Sequence, residues 1–174
     1  YTYGLKLYTD MPLIEPLEYR DENKIREFVV AIDTSCSCQG EMVKKFLEKT
    51  YSILKSGNEF FEKFNLHILQ CDTVIHRDVK ITTDAEFERY MGNAEIAGYG
   101  GTDFRPVFTH VDGLIRKGEF RNLKGLLYFT DCRGTFPETM PGYKTAFISI
   151  YEGKPIPKVP AWAIQMILQE DEVQ

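Results

Sequence analysis

The 174-residue sequence lacks several features that would place it in a familiar class of protein. It has no apolar run approaching the roughly 18 to 20 residues of a membrane span, and its N-terminus does not resemble a secretion signal. Acidic and basic residues are interspersed with a net charge of −5, so no basic face indicates nucleic acid or anionic lipid as a partner. These absences favour a cytoplasmic protein that binds another protein or a small ligand. Because the chain begins at Tyr1, we expect it to be part of a longer protein.

Familiar metal and nucleotide signatures are also missing. The four cysteines match neither a disulfide framework nor a C-x-x-C pair, so reduced thiols are expected. The three histidines have no ligand spacing, and the sequence contains no His-Glu-x-x-His. The glycine-rich segment 97–103 lacks the patterns of nucleotide-binding loops, which disfavours a phosphate cradle.

The sequence does contain a regular alternation of strand and helix patterns, in a chain long enough for one buried core. Expected strands are 27–32, 66–71, 74–81, 123–130, 145–150 and 162–168, and expected helices are 41–56, 84–91 and 104–117, closed by Gly57, Gly92 and Gly118. The turn at Asp72-Thr73 predicts a hairpin, hence one antiparallel strand. We therefore predict an α/β fold, an open and mostly parallel sheet with helices on both faces and one antiparallel edge strand. Residues 1–25 are expected to form an arm or edge hairpin, 26–168 the domain and 169–174 a frayed acidic tail.

Oxygen-bearing side chains follow two of these strands and open one of the helices. Asp33, Ser35 and Ser37 come directly after the first strand, Thr102 lies in the glycine-rich loop, and Asp131 follows a later strand. Ligands of open α/β sheets bind at the carboxyl ends of strands. Taken alone, the first loop could equally cap backbone amides. The distant threonine and aspartate favour a site for a hard cation such as Mg²⁺, which prefers oxygen ligands.

This arrangement of Asp-x-Ser-x-Ser, a distant Thr and a distant Asp resembles the metal-ion-dependent adhesion site of von Willebrand factor A (VWA) domains. Further segments are similar to VWA-like domains found at the C-terminus of uncharacterised, mostly bacterial proteins that carry a metallopeptidase-like domain upstream: 31–35, 100–108, 128–137 and 160–164. The sequence departs from the family where small residues such as glycine are expected, at Cys36, Cys38 and Cys132.

The resemblance implies a binding function rather than an enzymatic one. Ser35, Ser37 and Thr102 would bind Mg²⁺ or Mn²⁺ directly, with Asp33 and Asp131 often acting through water. The cation, incompletely neutralised, would then capture an Asp or Glu of a protein partner. Residues expected to contact that partner are Gly101, Arg105 and Arg133. The partner could also be the region upstream in the same protein, or an ATPase of the AAA+ class.

Three other interpretations stay open. Asp33 or Asp131 could serve a metal-dependent hydrolase, or the domain could dock on its own upstream region without using metal. The cysteines near the loops could form a thiolate site for zinc or a redox switch, although buried free cysteines usually act as small apolar residues. A basic cluster around the end of the third helix is interpreted as charge that favours the helix dipole; it comprises Arg116, Lys117, Arg121 and Lys124.

Overall fold

The structure, a computed structural model, describes residues 26–38, 40–56, 64–93 and 95–169. The expected arm at 1–25, the expected helix stop at Gly57 and the acidic residues 170–174 lie outside the described residues. Among the helices within those ranges, none is long and apolar enough to cross a membrane.

The described chain contains six strands and three helices, with β2 directly followed by β3 and the last three strands following one another without a helix between them. The strands are β1 (Arg26–Asp33), β2 (Phe64–Cys71), β3 (Ile75–Ile81), β4 (Gly125–Phe129), β5 (Thr145–Ile150) and β6 (Ile164–Leu168). The helices are α1 (Glu41–Ser56), α2 (Asp84–Asn93) and α3 (Arg105–Arg116), and a single 3-10 turn covers Cys36–Cys38. The long segment between β5 and β6 carries three prolines and forms no regular structure, as expected.

The strands form one sheet in the order β3-β2-β1-β4-β5-β6, with all neighbours parallel except β2 and β3. The predicted fold class is therefore confirmed, including the antiparallel edge strand. β1 occupies the centre because its run of apolar residues suits a strand buried on both faces. Ala31, for example, lies opposite Leu69 on one side and Tyr128 on the other.

Alternate residues of β1 supply two separate cores. Val29 and Ala31 face the layer that contains α3, whereas Val30 and Ile32 face the layer that contains α1 and α2. The apolar stripe of α1 packs into the second core as its spacing predicts. Helices therefore cover both faces of the sheet.

Two details of the helices differ from expectation. Gly92 does not end α2, which continues to Asn93, because this glycine has no positive φ and is compatible with the helix. In α3 it is Leu114 that is buried, while Ile115 is 38% exposed. The helix turns by about 100° per residue, so either position is compatible with the apolar stripe, and the packing selects the first.

Candidate metal centre

The loop after β1 is organised by the buried carboxylate of Asp33. One of its oxygens accepts a hydrogen bond from the backbone N–H of Ser35 at 2.9 Å, and the other accepts one from the hydroxyl of Thr130 at 2.5 Å. Thr130 directly follows β4, the parallel neighbour of β1, so this bond joins two strand ends. The turn also brings the hydroxyl oxygens of Ser35 and Ser37 to 3.2 Å from each other. Ser35 is buried and Ser37 is exposed.

Asp131 joins this group from the end of β4. Ligand atoms of Asp33, Cys38 and Asp131 all lie within 4.8 Å of one another, close enough to surround one ion. Its carboxylate accepts a hydrogen bond from the backbone N–H of Arg133 at 3.0 Å and lies 3.8 Å from the guanidinium of the same residue.

The electrostatics of the group disfavour negative charge in the absence of a cation. Burial raises the pKa of Asp33, hydrogen bonds from Ser35 and Thr130 offset part of that effect, and the nearby Asp131 adds to it. Burial also raises the pKa of the Cys38 thiol, with both carboxylates contributing in the same direction. A divalent cation would relieve the repulsion between these groups.

Thr102, in the glycine-rich loop, lies against the loop that follows β4, which also carries Asp131. A Cβ added to Gly134 would lie 2.7 Å from the methyl group of Thr102, so the two residues are in contact. The backbone N–H of Phe104 donates to the carbonyl of Thr135 at 3.0 Å, which fixes the glycine-rich loop against the segment after Asp131. Within the described residues, no hydrogen bond joins the Thr102 hydroxyl to the aspartates or serines.

Asp72, at the end of β2, is a structural residue of the site that sequence reasoning missed. One carboxylate oxygen accepts the N–H of Gly100 at 2.9 Å, and the other accepts the N–H of Val74 at 3.1 Å and lies 2.8 Å from Nε2 of His76. Burial raises the pKa of Asp72, but these hydrogen bonds outweigh it and the pKa lies below its usual value. The available signal is that the sequence places a carboxylate at the end of β2 as it does at β1; the predicted turn at Asp72-Thr73 does not use it.

The loop after β1 and the glycine-rich loop are also joined through the side chain and the backbone of Thr34. Its hydroxyl donates to the carbonyl of Ala97 at 2.6 Å, and its own carbonyl accepts the N–H of Tyr99 at 2.9 Å. Tyr99 has a φ of 87°, a conformation that costs energy in a non-glycine residue and persists only where neighbours impose it. The glycine-rich loop is thus fixed against β1 at several points.

The three residues expected to contact a partner belong to the glycine-rich loop, the start of α3 and the loop after β4. Gly101 is exposed. Arg105 donates from its guanidinium to both carboxylate oxygens of Asp103, at 2.9 and 2.8 Å. Arg133 donates to the carbonyl of Pro155 at 3.0 Å while about half of its side chain stays exposed. Their role in binding stays a prediction.

Only one of the three unexpected cysteines places its sulfur among the carboxylates. The Cys36 thiol donates to the carbonyl of Tyr99, and the Cys132 sulfur lies 3.3 Å from the hydroxyl of Ser149. All four cysteines of the chain are free thiols. Cys38 is the one that shares the site with the two aspartates.

A sequence profile described as "VWA-like domain (DUF2201)" matches residues 28–169. That range includes the three helices, the six strands apart from the first two residues of β1, and every residue of the candidate centre described above. The sequence matches none of the curated proteins at a significant level.

Solved structures show the same fold at low sequence identity. The SpRpn10 VWA domain aligns with a TM-score of 0.56 and 10% identity, covering 83% of this chain and 88% of that one. An aerotolerance-related membrane protein from Bacteroides fragilis aligns with a TM-score of 0.54 and 11% identity, covering 84% and 93% of the two chains. The conserved hypothetical protein BatB from Bacteroides thetaiotaomicron aligns with 0.53 and 11%, covering 83% and 90%. At such identities these likenesses concern the fold alone.

Proposed function

Because the chain belongs to the VWA-like domain family, we propose that it binds Mg²⁺ or Mn²⁺ through the loops after β1 and β4 and uses the ion to hold an acidic group of a protein partner. The observation that carries this proposal is the pair of hydroxyl oxygens of Ser35 and Ser37, 3.2 Å apart beside two carboxylates. Adjacent oxygens of an octahedral ion with bonds of about 2.1 Å are separated by about 3.0 Å. The two serines therefore fit neighbouring positions around one ion.

The charge balance favours capture of an external carboxylate. Ser35, Ser37 and Thr102 would be the direct ligands and contribute no charge, while Asp33 is already occupied by two hydrogen bonds. An ion held mainly by hydroxyls and water keeps much of its positive charge and so attracts a further anion. Ser37 and Gly101 are exposed, which leaves that side of the loops open to a partner.

Arg133 is a further residue that favours capture of an external carboxylate. Its guanidinium lies beside Asp131, and about half of its side chain is exposed. An arginine at the rim of such a site can steer a partner's carboxylate towards the ion and adds most to the association rate.

The first experiment measures metal uptake alone. Titration calorimetry with MnCl₂ and MgCl₂ should show a single site in the wild-type protein and an affinity lowered about 10- to 100-fold in Asp33→Asn, the range for residues that orient direct ligands. The matched control is Asp84→Asn, which removes an exposed carboxylate at the start of α2. Circular dichroism confirms that both variants are folded. Equal Mn²⁺ uptake by wild type and Asp33→Asn would contradict the proposal.

The second experiment tests capture of the acid. A glycine-rich peptide with a single aspartate should bind the Mn²⁺-loaded protein. The same peptide with asparagine in place of the aspartate should not bind, and EDTA should abolish binding of the aspartate peptide. Binding of both peptides in EDTA would instead favour docking that does not use the metal.

A further inference from the structure

A second candidate site lies at the opposite end of the parallel strands from the metal loops. A cavity of about 670 Å³ is bounded by the second half of α3 and by the segments that lead into β4 and β5. Those segments meet the sheet at the N-terminal ends of parallel strands, whereas the metal loops leave it at the C-terminal ends. The volume lies within the range of small-molecule pockets, and the cavity is a broad depression open to solvent rather than an enclosed chamber. The residues that carry the argument are Asp112, Ile115, Arg116, Phe120, Arg121 and Tyr143.

Three charged side chains line this cavity and make no ion pair within the described part of the chain. Asp112 and Arg116 belong to α3, and Arg121 belongs to the segment before β4. The arginines that do form a described ion pair or side-chain hydrogen bond are Arg77, Arg105 and Arg133, and none of them lines this cavity. One negative and two positive groups are therefore available to a ligand.

Tyr143 is the second unusual feature of the cavity lining. It is 8% exposed, and its buried hydroxyl has no hydrogen-bond partner among the described residues. Burial raises the pKa of Tyr143, and the charge of Asp112 adds to that shift, so the phenol keeps its proton. A buried hydroxyl without a partner costs free energy. Because this hydroxyl exposes almost no surface, a ligand in the cavity is assigned no contact with it.

The wall that carries Arg121 is held in place by a buried acid. The carboxylate of Glu27, 6% exposed, accepts the backbone N–H groups of Arg121 and Asn122, the first at 3.0 Å. The side chain of Asn65 fixes the preceding turn by donating to the carbonyl of Glu119 at 2.8 Å. Arg121 therefore projects from a defined backbone rather than from a free loop, while Asp112 and Arg116 project from α3.

We propose that this cavity binds a small zwitterion with an apolar body, of the kind represented by a free amino acid with a large apolar side chain. Arg116 and Arg121 would bind the carboxylate of the ligand, because guanidinium groups pair well with carboxylates. Asp112 would bind its ammonium group. Ile115, which is 38% exposed, would contact the apolar part, and Phe120 would add the 7% of its surface that stays exposed. The inference is independent of the metal centre.

An ordinary helix surface is the competing explanation. Asp112 and Arg116 are four residues apart on α3, and such pairs attract each other weakly when exposed to solvent. A surface pair would leave the cavity without affinity for any particular ligand. The test must therefore vary the charges of the ligand and of the protein together.

The probes are L-phenylalanine, 3-phenylpropionate, which lacks the ammonium group, and phenethylamine, which lacks the carboxylate. Binding is followed by amide chemical shifts in two-dimensional NMR of the full chain. L-Phenylalanine should bind at least about 10-fold more tightly than either analogue, a difference of about 1.4 kcal/mol, because each analogue lacks one of the two charged groups. The shifts should map to the cavity.

The protein variants complete the test. Arg116→Gln and Arg121→Gln should each weaken L-phenylalanine and phenylpropionate by about fivefold or more. Asp112→Asn should weaken L-phenylalanine and leave phenylpropionate unchanged or tighter. The matched control is Arg89→Gln, an exposed arginine on α2 at the other face of the sheet. The proposal is overturned if no probe shows saturable binding, or if Asp112→Asn affects both acids alike.

Discussion

Gly98 sets how closely the glycine-rich loop can approach β1. Its φ is +137°, a conformation that residues with a side chain rarely adopt. A Cβ at this position would overlap the hydroxyl of Thr34 and lie 3.0 Å from the Thr34 carbonyl oxygen. That hydroxyl is already committed to the carbonyl of Ala97. The glycine is therefore required twice, once by its backbone angle and once by the space around it.

We expect Gly98→Ala to lower the free energy of unfolding by about 1–3 kcal/mol, the usual cost of imposed backbone strain. Gly92→Ala is the control, because that glycine lies in α2 with open space around it and alanine favours a helix by up to about 1 kcal/mol. Urea denaturation of the two variants should therefore give changes of opposite sign. A Gly98→Ala variant as stable as the wild type would show that the loop shifts without cost.

At the scale of elements, one carboxylate of the antiparallel edge strand β3 adds side-chain bonds to its pairing with β2 and links the strand to α3. Asp78 accepts from His67 on β2 and from His110 on α3, with both N···O distances 2.7 Å. Partial burial raises the pKa of Asp78, but the bonds and charges of the two histidines outweigh it and the pKa lies below its usual value. The three elements are thus joined at one ionised group.

Because its folded-state pKa is depressed, Asp78 stabilises the fold at pH values above its unfolded pKa of about 3.9, and this contribution is lost as the pH falls through the folded value. We predict that Asp78→Asn destabilises the protein by about 1–3 kcal/mol at pH 5, the usual range for hydrogen bonds to a charged group. The difference from wild type should shrink at pH 3.

Urea denaturation at both pH values measures this effect. Glu95→Gln is the control, since the Arg77–Glu95 pair is at the surface and Glu95 is 81% exposed, so no measurable change is expected. An Asp78→Asn difference that is the same at pH 3 and pH 5 would show that ionisation of this residue is not the cause.

At the scale of the whole molecule, order is concentrated in the centre of the sheet. β1 pairs along its length with β2 and continues the sheet on its other side with β4, and its residues 29–32 are at most 1% exposed. β6, at the far edge, pairs on one side within the described sheet and exposes Ile164, Met166 and Ile167 by 45–54%. Strands with more buried contacts open less often.

Amide hydrogen exchange should reflect this gradient. We predict that Val30, Ile32 and Leu127 exchange among the slowest amides, in the range set by global unfolding, and that the amides of β6 exchange through local opening with smaller free energies. Exchange followed by NMR at several urea concentrations distinguishes the two classes. Equal protection of the amides of β1 and β6 would contradict this prediction.

The sequence by itself determined the architecture and most of the candidate centre. Apolar runs of strand length fix the central strands, because only a doubly covered sheet buries them on both faces. The spacing of Asp33, Ser35 and Ser37 within one tight loop fixes their proximity regardless of the remaining fold. Asp131 follows from the same logic, since the ends of parallel strands meet at one edge.

Tertiary structure alone decided which residues from distant segments meet. Asp72 bonding Gly100, Cys38 beside the two aspartates, and Asp78 shared by two histidines each depend on contacts between separate elements. The sequence marks Asp72 as a carboxylate at a strand end but does not identify the partner of any of these side chains, because packing selects one partner among many of similar propensity. The cavity beside Arg116 and Arg121 likewise depends on contacts between separate elements. The local pattern predicts only that these charges favour the helix dipole, whereas the packing of the neighbouring segments against α3 brings them to one surface.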